Sequence, residues 1–275
     1  MTYDIRPLSF GEILDRAFRV YLDNFVLLFG ISAIVLIPSG ILLAAMPVLG
    51  PGIAGGLNVL ILLLAGPVMH AALVIAVAEA YLGRPVTIAD AYRSVRPIIF
   101  PFIGTYLLTA LVFVIPGLIF GILIAVSAGV SRGLFVVMLA ASVVAAIYFL
   151  VCWALIGPVM IVEHRFARTA LSRSRALVVD SWWLTVGILI TAGLIADIPA
   201  AALKFVWGFI PVLGVILTAA TQAACSAYSL VALIVYYFDR RCRVEQFDLH
   251  LLAEQIRAQA AARAAMAASG SSSLA

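Results

Sequence analysis

Between Ile98 and Ser127 the chain reads IIFPFIGTYLLTALVFVIPGLIFGILIAVS, a stretch without one acidic or basic side chain. A helix needs about 20 consecutive apolar residues to cross the hydrocarbon core of a bilayer. The stretch exceeds that length, so it predicts a transmembrane helix. Five further stretches qualify on either side of it. The six predicted spans cover residues 25–46, 57–78, 98–127, 134–162, 182–203 and 212–238.

The overall composition is that of a membrane protein. The 275 residues are 65% hydrophobic and only 11% charged, with a mean hydropathy of +1.19. A soluble domain carries about 25% charged residues, because its surface must be wetted. This chain is too poor in charge for that, which predicts an all-α integral membrane protein. Its net charge of +4 is not arranged in a basic stripe interleaved with aromatic residues, so no nucleic-acid partner is expected.

Basic residues are distributed unevenly among the connections. Only Arg132 and Lys204 fall in the first, third or fifth connection, whereas the other fifteen of the 17 lie in the second and fourth connections or the terminal segments. The positive-inside rule places the arginine-rich side in the cytoplasm. With six spans, both termini are then cytoplasmic, and the expected location is the inner (plasma) membrane.

Three polar segments on the arginine-rich side have helical periodicity. Residues 1–24 are predicted as an N-terminal cytoplasmic amphipathic helix, with Ser9 and Glu12 in the S-x-x-E pattern of a capping box. Similar segments start near Thr87 and Thr169. Each is expected to lie in the headgroup layer. The arginines expected to contact lipid headgroups are Arg16, Arg19, Arg93, Arg96, Arg173, Arg175, Arg240 and Arg241.

Each amphipathic segment precedes two spans, which suggests a repeated unit. A proline follows in each unit, at Pro38, Pro116 and Pro199. The sequence GPVM occurs in the second span at residues 66–69 and in the fourth at 157–160. We therefore predict three repeats of an amphipathic helix plus a transmembrane hairpin, related by an axis along the membrane normal. The alternative is that any hairpin-built chain rich in Leu, Val and Ala looks self-similar.

The segment from residue 239 to 275 is predicted as a cytoplasmic tail. Residues 249–266 have helical composition with mixed charge, and a Ser- and Gly-rich end follows them. A short helix and then a disordered end are expected, because such an end has too few apolar residues to pack.

Two stretches near the ends of the chain resemble one bacterial family. The first is LSFGEILD at residues 8–15, and the second is YYFDRR at 236–241, which continues into EQFDL at 245–249. The family is named for the membrane domain attached to some glycerophosphoryl diester phosphodiesterases. The resemblance covers about residues 8–252 and implies a multi-span helical domain in a bacterial inner membrane, often without a catalytic partner.

The resemblance does not imply phosphodiesterase activity. The family's catalytic domain is a separate soluble barrel, a fold that needs about 250 residues of its own. That barrel carries a His-Arg-Gly motif, whereas here His164-Arg165 is followed by Phe166. The chain also departs from the family at Phe238, which separates the tyrosines from Asp239 where a direct Tyr-Tyr-Asp is expected.

Polar side chains within the spans are few, since a charge costs roughly 2.5–3.5 kcal/mol at the centre of a membrane helix. His70 is a candidate relay or ligand residue, or else a packing residue that forms a hydrogen bond. Asp197 is a candidate ion site, or else it lies in the outer headgroup layer and pairs with Lys204 or water. Asn58 and Gln222 are expected either to line a cavity or to form hydrogen bonds with neighbouring helices. The sequence contains no recognisable catalytic, metal or cofactor motif.

These features favour a non-enzymatic multi-pass protein that acts as a scaffold or accessory subunit in envelope lipid metabolism. Its expected partners are membrane phospholipids, with another membrane protein as a candidate partner, while the oligomeric state stays open. The alternative is a carrier or flippase for a lipid or small amphiphile, and a membrane-bound hydrolase is disfavoured. A continuous cavity that reaches both leaflets would favour the carrier, and a close-packed bundle the scaffold.

Overall fold

The computed structural model of the protein describes residues 6–246. Within that range the chain forms helices joined by short connections, with no strand. In chain order the helices are α1 (Phe10–Asp23), α2 (Phe25–Ala44), α3 (Met46–Leu49), α4 (Pro51–Tyr81), α5 (Ile88–Val95), α6 (Ile99–Val130), α7 (Arg132–Cys152), α8 (Ile156–Val162), α9 (Arg168–Val178), α10 (Trp182–Trp207) and α11 (Leu213–Glu245).

Six helical segments of the described chain are long and apolar enough to cross a membrane, which confirms the predicted six-span, all-α class. They are built on α2, α4, α6, the pair α7 and α8, α10, and α11. At a rise of 1.5 Å per residue, the 32 residues of α6 reach about 48 Å, more than the hydrocarbon core requires.

Short amphipathic helices α1, α5 and α9 precede α2, α6 and α10. The Ser9 amide donates to the Glu12 carboxylate (2.7 Å), which begins α1. This bond, a second from the Ser9 side chain and a third from Arg6 lower the pKa of Glu12 to about 2. Thr87 accepts from the Asp90 amide (3.2 Å) and begins α5 in a similar way. The threefold relation between these units stays a prediction.

The close-packed part of the molecule is formed by α2, α4, α10 and α11, with α11 in contact with each of the others. Gly40 is required on α2, because a Cβ there would stand 2.4 Å from the Ala219 Cβ of α11. Outside this bundle, α6 and α7 pack on each other and present most of their side chains to the surroundings. The fold therefore combines a packed bundle with an exposed hairpin.

The start of α1 lies beside the end of α11, and we name this end of the bundle the termini side. The last helix continues to Glu245, so residues 239–245, at the start of the predicted tail, are helical and continuous with the sixth span. The extension is stabilised by ion pairs and hydrogen bonds that α11 makes with α1 and α9. The predicted short helix over 249–266 and the end that follows it lie outside the described residues.

Candidate functional site

The fourth span is interrupted close to Pro158, since α7 ends at Cys152 and α8 begins at Ile156. A proline inside a helix lacks an amide hydrogen, and its ring collides with the carbonyl of the fourth residue before it, here Ala154. The helix opens at that point. The segment predicted as the fourth span, 134–162, therefore consists of two helices with a break between them.

Ser174 on α9 binds two backbone groups at the break. Its buried hydroxyl donates to the Cys152 carbonyl (2.9 Å) and accepts from the Leu155 amide (3.2 Å). In α4 the same GPVM sequence leaves the helix unbroken at Pro67, so the proline alone does not dictate a break. The hydroxyl from α9 stabilises the open form, because unpaired backbone groups at membrane depth are costly.

Ser174→Ala is therefore expected to lower the free energy of unfolding by about 1–3 kcal/mol, since two buried backbone groups lose their partner. Chemical denaturation in detergent micelles measures the change. Ser172→Ala is the matched control, because Ser172 lies exposed on the same helix. Its effect is expected to stay within about 0.5 kcal/mol. Equal effects of the two substitutions would contradict the role given to Ser174.

A cavity of about 320 Å³ lies beside the break, on the termini side of the bundle, and we name it the proximal cavity. Tyr106 and Ala110 of α6 line it and are exposed at the protein surface, so the cavity opens sideways toward the bilayer. Its lining includes His70, Tyr106, Thr109, Ala110, Trp153 and Gly157.

The two GPVM sequences meet at the proximal cavity. His70, which directly follows the first, faces Gly157 of the second, and its Nε2 lies 3.4 Å from where a Cβ on Gly157 would stand. Met160 of the second also lines the cavity. Among the described residues, neither ring nitrogen of His70 has a hydrogen-bond partner. The imidazole is thus available to a molecule in the cavity.

A second cavity of about 300 Å³ lies between α6 and α7, farther from the termini, and we name it the distal cavity. Phe113, near the middle of α6, lines both cavities. Its ring meets Trp153 edge-on at 5.4 Å, and Trp153 stacks on Phe149 at 4.9 Å. These three rings, named the aromatic trio, separate the two cavities at mid-span.

Of the four predicted cavity residues, only His70 lines either of these two cavities. Asn58 accepts a hydrogen bond from Ser39, between α4 and α2. Gln222 accepts from Lys204 (2.5 Å), between α11 and α10. Asp197 is exposed on α10, and within the described chain it forms no ion pair with Lys204, the partner expected from the sequence.

Glu163 is the centre of a charged cluster on the termini side. Its carboxylate, 8% exposed, accepts from Arg173 Nε (2.8 and 3.0 Å) and from the Tyr237 hydroxyl (3.0 Å). Arg173 also pairs with Glu245 of α11, which in turn accepts from Arg241 Nε (3.0 Å). The cluster ties the connection after α8 to α9 and to the end of α11.

The two stretches that carry the family resemblance meet at Asp239. Its carboxylate has no exposed surface, accepts from the Leu8 amide (2.7 Å) and lies 3.1 Å from Arg243 Nε. Arg243 also donates to the Leu8 carbonyl (2.7 Å). Both backbone groups of Leu8 are therefore bonded to α11. The extra residue Phe238 leaves Asp239 in place for this contact, and its ring stacks on Tyr81 at 5.2 Å.

The predicted headgroup arginines divide into two groups. Arg173, Arg240 and Arg241 are largely enclosed, and Arg240 donates to the Leu177 carbonyl (2.9 Å) with only 6% of its surface exposed. These three make contacts within the protein, and their predicted headgroup contact stays a prediction. Arg16 is half-buried. Exposed arginines that stay available to headgroups are Arg19, Arg93, Arg96 and Arg175.

Sequence reasoning missed Ser174, Glu163 and the contact partner of Asp239. A serine in an arginine-rich amphipathic helix gives no signal of the break that it stabilises. The acidic residue at the end of the fourth span was visible, but its partners lie 10 and 74 residues away along the chain. Only the conspicuous YYFDRR sequence pointed to α11, and it did so through the resemblance.

Comparison with known proteins adds nothing to the geometry, since no family model, curated protein or solved structure matches the chain. The resemblance carried by the two end stretches therefore stays a prediction. Within the described residues, no group of three or more His, Cys, Asp or Glu side chains is arranged to hold a metal ion.

Proposed function

We propose that the protein is a non-enzymatic, lipid-binding membrane protein that serves as a scaffold or accessory subunit in envelope lipid metabolism. The observation that carries the proposal is the proximal cavity, which opens sideways between α6 and the break and is bounded by the aromatic trio. Ligand sites are mostly apolar concavities of about 300–1,000 Å³ with a few polar groups, and this cavity falls within that description.

The termini side supplies a second form of lipid contact. Arg19, Arg93, Arg96 and Arg175 are exposed next to the ends of the spans. A basic residue near an anionic leaflet contributes about 1 kcal/mol of membrane attraction. These arginines support a protein anchored to anionic phospholipids on that side, with its cavity in the same half of the bilayer.

The exposed hairpin supports a protein partner. Beyond the aromatic trio, α6 presents large apolar side chains that are mostly exposed, including Leu118 (63% exposed), Ile122 (64%) and Val126 (61%). Helix association in membranes depends on close van der Waals packing, for which such a hairpin offers a long surface. We place an accessory or scaffold contact here, with lipid covering the surface when the partner is absent.

We further propose that the protein lies in a bacterial inner membrane with its termini side in the cytoplasm. In a background without the native cysteines, Ser131→Cys in the connection after α6 is expected to react with an impermeant maleimide added to intact spheroplasts. Ser172→Cys on α9 is expected to react only after permeabilisation. Both serines are exposed in the fold. The reverse labelling pattern would contradict the orientation.

Native mass spectrometry of the protein released from its own membranes tests the proposed function. We expect a stoichiometric bound lipid and a co-released membrane protein, whose identity would name the pathway. Retention of lipid without a protein would leave the lipid-binding part standing and contradict the accessory role. Release of the bare chain, without lipid or protein, would contradict both.

A carrier or flippase is the second candidate, because the proximal and distal cavities meet at Phe113 and together extend along α6. A carrier must let its cargo pass the aromatic trio. In proteoliposomes, dithionite added outside bleaches fluorescent lipid in the outer leaflet, and fluorescent lipid in the inner leaflet is protected. A carrier is expected to accelerate the bleaching of this protected lipid, and Phe113→Ala to accelerate it further. A scaffold is expected to change neither rate.

A further inference from the structure

The lining of the proximal cavity is free of charge. Among the described residues that form it there is no lysine, arginine, aspartate or glutamate. Its polar side-chain groups are the imidazole of His70, the hydroxyls of Tyr106 and Thr109, and the indole N–H of Trp153. The first three come from the continuous helices α4 and α6 and the indole from the break, so α8 adds mainly apolar surface. A ligand therefore meets one small polar patch within an apolar wall.

Three of these groups lack a hydrogen bond within the described chain, namely the His70 ring, the Tyr106 hydroxyl and the Trp153 indole N–H. Thr109 donates to the Thr105 carbonyl (2.8 Å) and keeps its capacity to accept. Polar groups away from water cost free energy unless they are hydrogen-bonded. A neutral imidazole offers one donor and one acceptor, and a phenol offers both. A hydroxyl group on the ligand, which donates and accepts, matches this set.

An anionic group fits the same cavity poorly. A phosphate or carboxylate taken away from water needs a cation or several fixed donors to offset the loss of hydration. The exposed arginines of the termini side lie outside the lining of the cavity. Phospholipid headgroups are therefore expected at those arginines, and not beside His70.

We infer that the proximal cavity binds an uncharged lipid whose polar end is a hydroxyl group. Diacylglycerol and a long-chain isoprenoid alcohol share this chemistry. The hydroxyl bonds to His70 and Tyr106, and the chain leaves through the sideways opening past Ala110 into the bilayer. The inference rests on the proposed function, because it specifies the lipid that the protein binds.

Competition on the purified, delipidated full-length chain tests the inference. The probes are dioleoylglycerol, its acetylated derivative without a free hydroxyl, dioleoyl phosphatidate, and a long-chain isoprenoid alcohol. Binding to each is measured by native mass spectrometry in the same detergent. We expect dioleoylglycerol or the alcohol to bind about tenfold more tightly than the acetylated lipid, whereas phosphatidate is expected to bind only at the exposed arginines. Whichever of the two binds more tightly identifies the source of the hydroxyl.

Variants separate the polar patch from general lipid affinity. Tyr106→Phe removes only one hydroxyl and His70→Phe removes the imidazole, so each is expected to reduce the preference for the free hydroxyl several-fold while the acetylated lipid still binds. Tyr148→Phe is the matched control, because Tyr148 is exposed on α7 and lines neither cavity. It is expected to keep the preference.

The outcomes distinguish this inference from the proposed function. Weaker binding of phosphatidate in both Tyr106→Phe and His70→Phe, or an unchanged preference for the free hydroxyl in both variants, would overturn the inference and leave a lipid-binding protein. If none of the four probes binds, the lipid-binding function fails together with the inference.

Discussion

Asp239→Ala is expected to lower the free energy of unfolding by about 2–4 kcal/mol. The carboxylate is wholly buried and bonds to the Leu8 amide and to Arg243. Removing it leaves the Leu8 amide without its partner and weakens the attachment of the start of α1 to α11, where the bond from Arg243 to the Leu8 carbonyl remains. The predicted change does not exceed about 4 kcal/mol because Arg243 is 41% exposed, so water can hydrate its guanidinium once the Asp239 carboxylate is gone. Chemical denaturation in micelles measures the change.

Two further variants make the result specific. Asp239→Asn keeps an acceptor for the Leu8 amide and loses only the charge, so a smaller loss of stability is expected. Asp15→Ala removes a carboxylate from an exposed ion pair with Arg19 (3.0 Å), and such pairs contribute about 0–1 kcal/mol. A loss for Asp239→Ala no larger than that for Asp15→Ala would show that the contact with Leu8 does not hold α1 in place.

Ala110→Phe is expected to reduce the retention of bound lipid about tenfold, which corresponds to about 1.4 kcal/mol of binding free energy. Ala110 lines the proximal cavity and is exposed at its opening, so the added ring occupies the space of the ligand without disturbing the packed bundle. Native mass spectrometry of the variant, released from the same membranes as the parent chain, measures the retained lipid.

Ala125→Phe is the matched control for this experiment. Ala125 lies exposed on the same helix and lines neither cavity, so the same substitution there is expected to leave lipid retention unchanged. If both variants lose lipid equally, the loss comes from a general change at the α6 surface. If both retain it, the lipid binds elsewhere on the protein.

The fold was largely predictable because its main signal is local. The length of the stretch from Ile98 to Ser127 and its lack of charge are enough to predict a transmembrane helix. Capping at Ser9 and Thr87 was predictable for the same reason, since each cap joins residues three positions apart. The boundaries were less accurate where distant contacts extend a helix, as at the end of α11.

The candidate site was only partly predictable, because it depends on contacts between distant residues. His70 was recognised as unusual from its depth alone. Nothing local shows that Pro158 opens its helix while Pro67, in the same four-residue sequence, does not, since the difference lies in a hydroxyl from α9. The enclosure of Arg240 and the meeting of Leu8 with Asp239, 231 residues apart, follow from the packed bundle.

Fluorescence quenching at Trp153 tests most directly whether lipid occupies the proximal cavity. The variant for this test keeps Trp153 and has the other three of the four tryptophans replaced. It is reconstituted into bilayers in which all lipids, including diacylglycerol, carry brominated acyl chains. Because Trp153 lines the cavity, brominated lipid inside the cavity is expected to quench Trp153 fluorescence strongly in this variant. Adding Ala125→Phe is expected to leave the quenching unchanged, and adding Ala110→Phe to weaken it clearly. Equal quenching in all three would contradict a lipid in the cavity.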